Sequence, residues 1–99
     1  MDTLLNPTVV VEVLSPSTEV YDRGKKFLHY RRVPSLKEYV LVSQDKVLVE
    51  RYTRQGDDWL LTELNQLSDT LQLASIGCVV PLREIYAKVA LNADTVASP

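Results

Sequence analysis

A single glutamate inside an otherwise apolar segment is the residue of this chain that most clearly suggests chemistry. Glu12 interrupts the run Thr8–Leu14, whose other residues after Thr8 are valine or leucine. Side chains alternate between the two faces of a strand, so Glu12 shares a face with Val10 and Leu14. An unpaired carboxylate in such surroundings is unfavourable, so Glu12 needs a partner. It could be a ligand for Mg²⁺, which one or two carboxylates usually hold. The alternative is that Glu12 meets water, an arginine or a backbone amide.

A lysine on the next predicted element could reach the same place. A helix is predicted over residues 20–32, between a hydroxyl-rich turn that contains a proline and the pair Val33-Pro34, which ends it. Lys26 falls at the margin of the apolar face of this helix, whereas Lys25 projects to the polar side. An ammonium group beside a metal-bound water can orient the water and offset charge developing on a phosphate. The alternative for Lys26 is an ordinary solvated lysine.

The spacing of histidine and cysteine, the other reactive residue types, does not indicate a second site. His29 is the one histidine and Cys78 the one cysteine, which excludes a disulfide framework and gives no support to a zinc site. We expect His29 on the polar side of the helix and Cys78 in the core. The lone cysteine and the absence of a leader pattern after Met1 predict a cytoplasmic protein.

Charge is distributed unevenly along the chain. The net charge of −2 argues against a protein that coats nucleic acid by bulk electrostatics. Between Arg23 and Lys37, however, no acidic residue occurs, and this segment predicts one basic face. It holds six of the 11 basic residues, which are Arg23, Lys25, Lys26, Arg31, Arg32 and Lys37.

The elements that must position these residues make up one small α/β (α+β) domain, because 99 residues allow one compact core. Thr8–Leu14 is predicted as a central strand covered on both faces. After the helix, alternating patterns predict three antiparallel strands, a short strand and a final helix, at residues 38–42, 47–52, 59–64, 70–73 and 82–89. We expect a domain over residues 1–90 and a disordered tail over 91–99. No apolar run reaches the roughly 18 residues of a membrane span, so no membrane partner is predicted.

The block around Glu12 is similar to the signature of a known family. It reads Asn-Pro-Thr-Val-Val-Val-Glu-Val-Leu-Ser-Pro-Ser-Thr over residues 6–18, and Tyr-Asp-Arg-Gly-Lys-Lys-Phe follows over residues 21–27. The chain resembles the bacterial Uma-two family of restriction endonucleases, a branch of the PD-(D/E)XK nuclease superfamily. Further likeness occurs at Tyr30-Arg31, Pro34–Tyr39, Gln44-Asp45, Trp59, Ser75–Cys78 and Ile85-Tyr86. The resemblance implies a restriction-endonuclease-like mixed sheet flanked by helices.

The same resemblance implies Mg²⁺-dependent hydrolysis of DNA phosphodiester bonds, with two carboxylates holding the metal and a lysine assisting the attacking water. By position, Glu12 is the motif acid, a metal ligand and a catalytic residue. In most of the superfamily the lysine stands two residues later, where this chain has Leu14. Lys26 matches the place to which this branch has moved the catalytic lysine.

The chain departs from the family pattern at its start. Family members carry, upstream, a Pro-Asp pair whose aspartate is the first metal ligand, and Asn6-Pro7 is no substitute for it. The chain therefore resembles the C-terminal portion of such a nuclease, with the N-terminal part of the fold missing. With Glu12 as the one plausible carboxylate, Mg²⁺ affinity is expected to fall. The alternative function is a catalytically inactive remnant or interaction module. Loss of neighbouring strands would expose the edge of Thr8–Leu14 and favour a homodimer.

Overall fold

The computed structural model describes residues 7–14, 25 and 27–89. Within these ranges the chain forms strands and short helices in the order expected from the apolar patterns. They are β1 (Val9–Leu14), α1 (Phe27–Tyr30), β2 (Glu38–Ser43), β3 (Val49–Gln55), β4 (Asp58–Leu64), β5 (Thr70–Leu73), a 3₁₀ turn (Ala74–Ile76), β6 (Cys78–Pro81) and α2 (Leu82–Lys88).

The described strands form a mixed sheet of four strands in the order β1-β2-β3-β4, and β5 pairs with β6 in a separate hairpin. β1 and β2 are parallel, and α1 lies between them in the sequence. β2, β3 and β4 form an antiparallel meander, as predicted. Gly56, with φ of +63°, supplies the left-handed residue in the tight turn between β3 and β4. The mixed α+β fold class inferred from the sequence is confirmed.

Each face of the four-stranded sheet has its own core. On one face, Val40, Val42 and Val49 pack with residues of β5 and α2. On the other, Leu14, Leu36, Tyr39 and Leu41 pack against Phe27 and Tyr30 of α1. We call the second surface the α1 face.

Arg54 fixes α1 on its face of the sheet. Its guanidinium donates hydrogen bonds to the backbone oxygens of Leu36 (2.7 Å), Val33 (2.9 Å) and Arg31 (3.2 Å). These three carbonyls lie in the segment between α1 and β2, so the guanidinium ties this segment to the sheet. The guanidinium also lies over the Trp59 ring, 4.4 Å from its centroid.

Polar contacts also join the β5–β6 hairpin and α2 to the sheet. The hydroxyl of Ser75 donates to the buried carboxylate of Glu38 (2.6 Å), and the guanidinium of Arg51 donates to the backbone oxygen of Gln72 (2.6 Å). On α2, the Tyr86 hydroxyl lies 2.8 Å from the Ser43 oxygen and 3.1 Å from the Leu48 nitrogen, at the two ends of the β2–β3 turn. The core on the face opposite α1 is thus held by both apolar packing and hydrogen bonds.

The structure corrects the expectation that Thr8–Leu14 is a central strand covered on both faces. In the described part of the chain β1 is the last strand of its sheet, and Val11 and Val13 are 53% and 46% exposed. An apolar run does not distinguish an edge strand from a central one, because both can have apolar residues on each face.

Other boundaries differ by a few residues. β3 begins at Val49 rather than residue 47, and β6 was not predicted. Helix α1 ends at Tyr30, two residues before the predicted end, and Arg32 and Val33 continue with tighter backbone hydrogen bonds to the third preceding residue. The predicted helix start and the predicted tail over residues 91–99 lie outside the described residues.

Candidate active site

Glu12 lies on the α1 face of the sheet, two residues before the end of β1. Val10 and Leu14, which share its face, both belong to the core under α1, as the alternation predicted. Leu14 is 1% exposed, so it is a core residue. The Glu12 side chain is half-buried.

A tyrosine of α1 contacts this carboxylate directly. The Tyr30 hydroxyl donates a hydrogen bond to Oε2 of Glu12 at 3.3 Å. The Tyr30 ring in turn lies 5.2 Å from the ring of Tyr39, which is fully buried on β2. The packed ring holds the hydroxyl in place, so Tyr30 restrains the rotamer of the Glu12 carboxylate.

An aromatic cluster positions α1 over the sheet. The Phe27 ring stacks at 4.2 Å on Tyr52 of β3 and meets Trp59 of β4 edge-on at 5.5 Å. It is also parallel to Tyr39, with ring centroids 5.7 Å apart. Aromatic pairs at these distances add to the free energy of apolar burial. Tyr39 is a buried core residue of this face, and Tyr52 and Trp59 pack against it.

A second carboxylate, which the sequence reasoning missed, lies in the same row of the α1 face. Glu12 pairs with Leu41 of β2, and Leu41 pairs with Glu50 of β3. Directly paired residues point to the same face, so Glu12 and Glu50 flank Leu41 on the same face. Glu50 is only 5% exposed. The available signal was the alternation of Val49-Glu50-Arg51-Tyr52, but it needed the strand register to show which face Glu50 occupies.

The donor set on this face consists of carboxylate oxygens, which suit a hard divalent cation such as Mg²⁺. Among the described residues, no three histidine, cysteine, aspartate or glutamate side chains form a group that could hold a metal. Mg²⁺ needs only one or two carboxylates when water and phosphate oxygens complete its coordination, so the face fits such an ion.

Lys26, the second predicted catalytic residue, lies outside the described residues. Its predicted proximity to Glu12 therefore stays a prediction. The neighbouring Lys25 is described and exposed, and His29 is exposed as expected. Cys78 is half-buried against the core on the opposite face from α1.

The basic segment lies at the surface where it is described. Lys25, Arg31, Arg32 and Lys37 are all exposed. The Arg31 guanidinium lies 5.8 Å from the centroid of the Phe27 ring, so part of the basic surface adjoins α1. In the described ranges no helix is both long and apolar enough to cross a membrane.

In this structure a carboxylate lies near the end of a strand of a mixed sheet and faces the helix that follows in the sequence. The sites of α/β enzymes also lie near the ends of strands. The family model Uma2 (Uma-two), described as "Putative restriction endonuclease", matches residues 2–83. The chain belongs to this family.

Two curated relatives come from Synechocystis sp. (strain ATCC 27184 / PCC 6803 / Kazusa). The uncharacterized protein slr1290 is 48% identical over 85 residues, which make up 85% of this chain and 44% of that protein. The uncharacterized protein sll1609 is 48% identical over 60 residues, or 60% of this chain and 34% of that protein. The chain thus spans less than half the length of either relative.

Proposed function

We propose that this protein takes part in Mg²⁺-dependent endonucleolytic hydrolysis of DNA phosphodiester bonds, with Glu12 as a metal ligand and catalytic residue. The observation that carries the proposal is the Glu12 carboxylate on the α1 face, restrained by Tyr30, in a member of a restriction endonuclease family. A carboxylate among apolar core residues raises the free energy of the folded state unless it interacts with a charged or polar group there.

Glu12 would supply oxygen ligands to Mg²⁺, and Tyr30 would hold the carboxylate in the orientation that binds it. When bound, the ion lowers the pKa of a coordinated water and offsets charge on the phosphate. The apolar residues Val10 and Leu14 beside Glu12 lower the local dielectric, which strengthens the attraction between carboxylate and cation.

We propose Lys26 as the second catalytic residue. In the helix predicted from the sequence it precedes Tyr30 by four residues, the spacing at which two side chains share a helix face. Because the Tyr30 hydroxyl reaches Glu12, a lysine on that same face would extend its ammonium group toward the same carboxylate. There it would orient the attacking water and offset charge on the phosphate.

DNA is the proposed substrate and partner. The four exposed cations around α1 supply positive charge to contact a phosphate backbone, while the chain as a whole carries a net charge of −2. Such contacts position DNA without reading its sequence. Membership of the PD-(D/E)XK superfamily and a cytoplasmic location are part of the same proposal.

The proposal includes self-association through β1. Among the described residues β1 is the last strand of its sheet, and Val11 and Val13 on it are exposed. A second copy that pairs with the edge would satisfy its backbone groups and cover both valines. Light scattering after size exclusion would then show a mass that rises toward a dimer with concentration, and Val11→Lys would shift the protein to the monomer. A wild-type monomer at high concentration would contradict this proposal.

The second candidate function is a non-catalytic interaction module that keeps the nuclease fold. It is favoured by the small number of ligands on the α1 face, where the described residues hold no group of three metal-binding side chains. The two candidates differ in whether the purified chain cleaves DNA.

Conversion of supercoiled plasmid to nicked and linear forms tests the proposed function. We expect cleavage by the wild-type chain with Mg²⁺ or Mn²⁺, none with EDTA, and at least about a hundredfold loss in Glu12→Gln and Lys26→Gln. Glu84→Gln and Lys88→Gln are matched controls, because both residues are exposed on α2. Intact plasmid with the wild-type chain would favour the interaction module, and undiminished cleavage by Glu12→Gln would reject the assignment of Glu12.

A further inference from the structure

We infer that β4 pairs with β4 of a second copy of this chain, in an antiparallel register centred on Leu61. The contact lies at the edge of the described sheet opposite to β1, so it goes beyond the proposed function and is separate from the association proposed there. Weak complexes bury less than about 1,200 Å² of total surface, and pairing of one seven-residue strand falls in that class. The contact is therefore transient in solution.

The outer edge of β4 is open to a further strand. Among the described residues β4 is the last strand at this end of the sheet, and it contains neither proline nor lysine, which often protect such an edge. Leu60 and Leu61 are 50% and 43% exposed and lie on opposite faces of the strand. An added strand would cover apolar side chains on both faces.

The backbone hydrogen bonds of β3 show which groups of β4 point outward. The Arg54 nitrogen donates to the Lys37 oxygen (2.9 Å), so the backbone groups of Arg54 point toward β2 and away from β4. Hydrogen-bonded and non-hydrogen-bonded pairs alternate along antiparallel strands, and Arg54 pairs with Trp59. The backbone groups of Trp59, and by alternation those of Leu61 and Glu63, therefore point away from the sheet.

One two-fold register pairs all of these outward groups. When Leu61 lies opposite its own copy, Trp59 lies opposite Glu63 of the second copy, and the reverse pair forms by symmetry. Moving the centre by one residue leaves either Trp59 or Glu63 without a counterpart on the strand. Because the two-fold axis is then perpendicular to the sheet, the α1 faces of both copies lie on the same side.

Charge complementarity favours the same register. The Arg54 guanidinium lies over the Trp59 ring, 4.4 Å from its centroid, and Glu63 of the second copy would lie beside that ring. In the described part of the chain, Arg54 donates to backbone oxygens from Nε and Nη2, so Nη1 can donate to this carboxylate. The symmetry of the contact forms this ion pair twice.

Glu63 also has an unfavourable neighbour in its own chain. It pairs with Glu50 of β3, and like charges directly opposite each other on neighbouring strands are destabilising. The arginine of a second copy would offset this repulsion, in addition to any other interaction that Glu50 makes.

Disulfide trapping in the full 99-residue chain tests the register. In a Cys78→Ala background, Leu61→Cys places the two thiols at a hydrogen-bonded pair, where Cα atoms about 5.5 Å apart can be bridged. Leu60→Cys is the matched control, because its Cα would lie about 7–8 Å from that of its copy. We expect Leu61→Cys to cross-link at least about tenfold faster, after each rate is divided by that of the same thiol with a small disulfide reagent.

A mixture of two variants gives a measurement that does not depend on Leu61→Cys. In the inferred register residue 60 lies opposite residue 62 of the second copy, with Cα atoms about 4.5 Å apart. Leu60→Cys mixed with Thr62→Cys should therefore cross-link faster than either variant alone. Circular dichroism and thermal melting establish that each variant is folded.

Charge reversal tests the pair formed by Arg54 and Glu63. In the Leu61→Cys chain, Glu63→Lys should slow cross-linking at least about tenfold, because a lysine would then meet the arginine of the second copy. Glu84→Lys makes the same change on the exposed surface of α2 and should leave the rate unchanged. Val11→Lys should also leave it unchanged, because this residue lies at the other edge of the sheet.

Two results would overturn the inference. One is that Leu61→Cys cross-links no faster than Leu60→Cys and mixing brings no gain. The other is that Glu63→Lys and Glu84→Lys give equal rates. Plasmid cleavage and the effect of Val11→Lys on mass are measured separately, so either result leaves the proposed function standing.

Discussion

The Tyr30 hydroxyl and the Glu12 carboxylate are joined by a 3.3 Å hydrogen bond between α1 and β1. The two residues are 18 positions apart, and the contact links the helix to the acid most suggestive of chemistry in the sequence. One oxygen of the Glu12 carboxylate thereby accepts a hydrogen bond from a neutral hydroxyl group. The orientation of the carboxylate therefore depends on the packing of the Tyr30 ring.

Tyr30→Phe should weaken metal binding strongly while lowering the stability of the fold only slightly. The ring packing is kept, so the free energy of unfolding should fall by only about 0.5–1.5 kcal/mol, the net value of one hydrogen bond. Removal of a partner that orients a metal ligand should raise the Mg²⁺ concentration for half-maximal DNA cleavage roughly 10–100-fold. Titration of cleavage with Mg²⁺ measures this, and His29→Gln, an exposed neighbour on α1, is the control. An unchanged Mg²⁺ dependence would show that Tyr30 does not position Glu12.

Arg54→Lys should destabilise the fold. Lysine cannot reproduce the fork that reaches three backbone oxygens after α1, nor the stacking on Trp59. Hydrogen bonds from a charged donor contribute about 1.5–3 kcal/mol, so we expect a loss of that size. Urea unfolding gives the value, and Arg83→Lys, an exposed substitution on α2, should change it by less than about 0.5 kcal/mol. Equal stability of the two variants would contradict the role assigned to Arg54.

Tyr86 should make stability fall in alkali. The pKa of Tyr86 is raised above its usual 10.0, mainly by burial. The backbone hydrogen bond with Leu48 lowers this pKa, and the charge of Asp45 raises it. The unfolded chain therefore ionises this phenol first, and the free energy of unfolding decreases as the pH rises above about 10. Below that pH the contribution is fully present.

Chemical unfolding at several pH values between 8 and about 11 measures this decrease. In Tyr86→Phe the part of the decrease due to this residue should vanish, because phenylalanine does not titrate. The variant should also lose about 1–3 kcal/mol at neutral pH, since the backbone groups of Ser43 and Leu48 lose their partner. Identical alkaline slopes for the two proteins would exclude Tyr86 as the source.

Arg31 and Arg32 should contribute phosphate contacts. Replacement of both by Gln is expected to weaken DNA binding for all sequences alike and to lower the slope of log K against log salt by about 0.9 per lost contact. Fluorescence anisotropy over a range of salt concentrations measures the slope. The double variant Arg83→Gln and Lys88→Gln removes the same charge from α2 and should keep the slope. If both double variants lower it equally, the basic segment is not the DNA-binding surface.

Much of the fold could be predicted from the sequence because its signals are local. The alternation Val10-Glu12-Leu14 identified the face of Glu12, and the alternating patterns over residues 47–52 and 59–64 identified the β3–β4 hairpin. Glu50 could not be placed in the same way. Its position relative to Glu12 depends on the pairing of Leu41 with both residues, which is a property of the assembled sheet.

The edge position of β1 and the existence of β6 are likewise tertiary properties. Val11 and Val13 have the same residue type as the buried valines of β2, so their exposure follows from which strands surround them. β6 is only four residues long, and its pairing with β5 across the 3₁₀ turn stabilises it more than its own pattern does.

The most direct measurement of the central claim is the initial rate of plasmid cleavage in Mg²⁺ by the wild-type chain and by Glu12→Gln, purified side by side and shown to be equally folded. We expect metal-dependent cleavage by the wild-type chain and a rate at least about a hundredfold lower for the variant. Equal rates would contradict the claim that Glu12 acts in DNA hydrolysis.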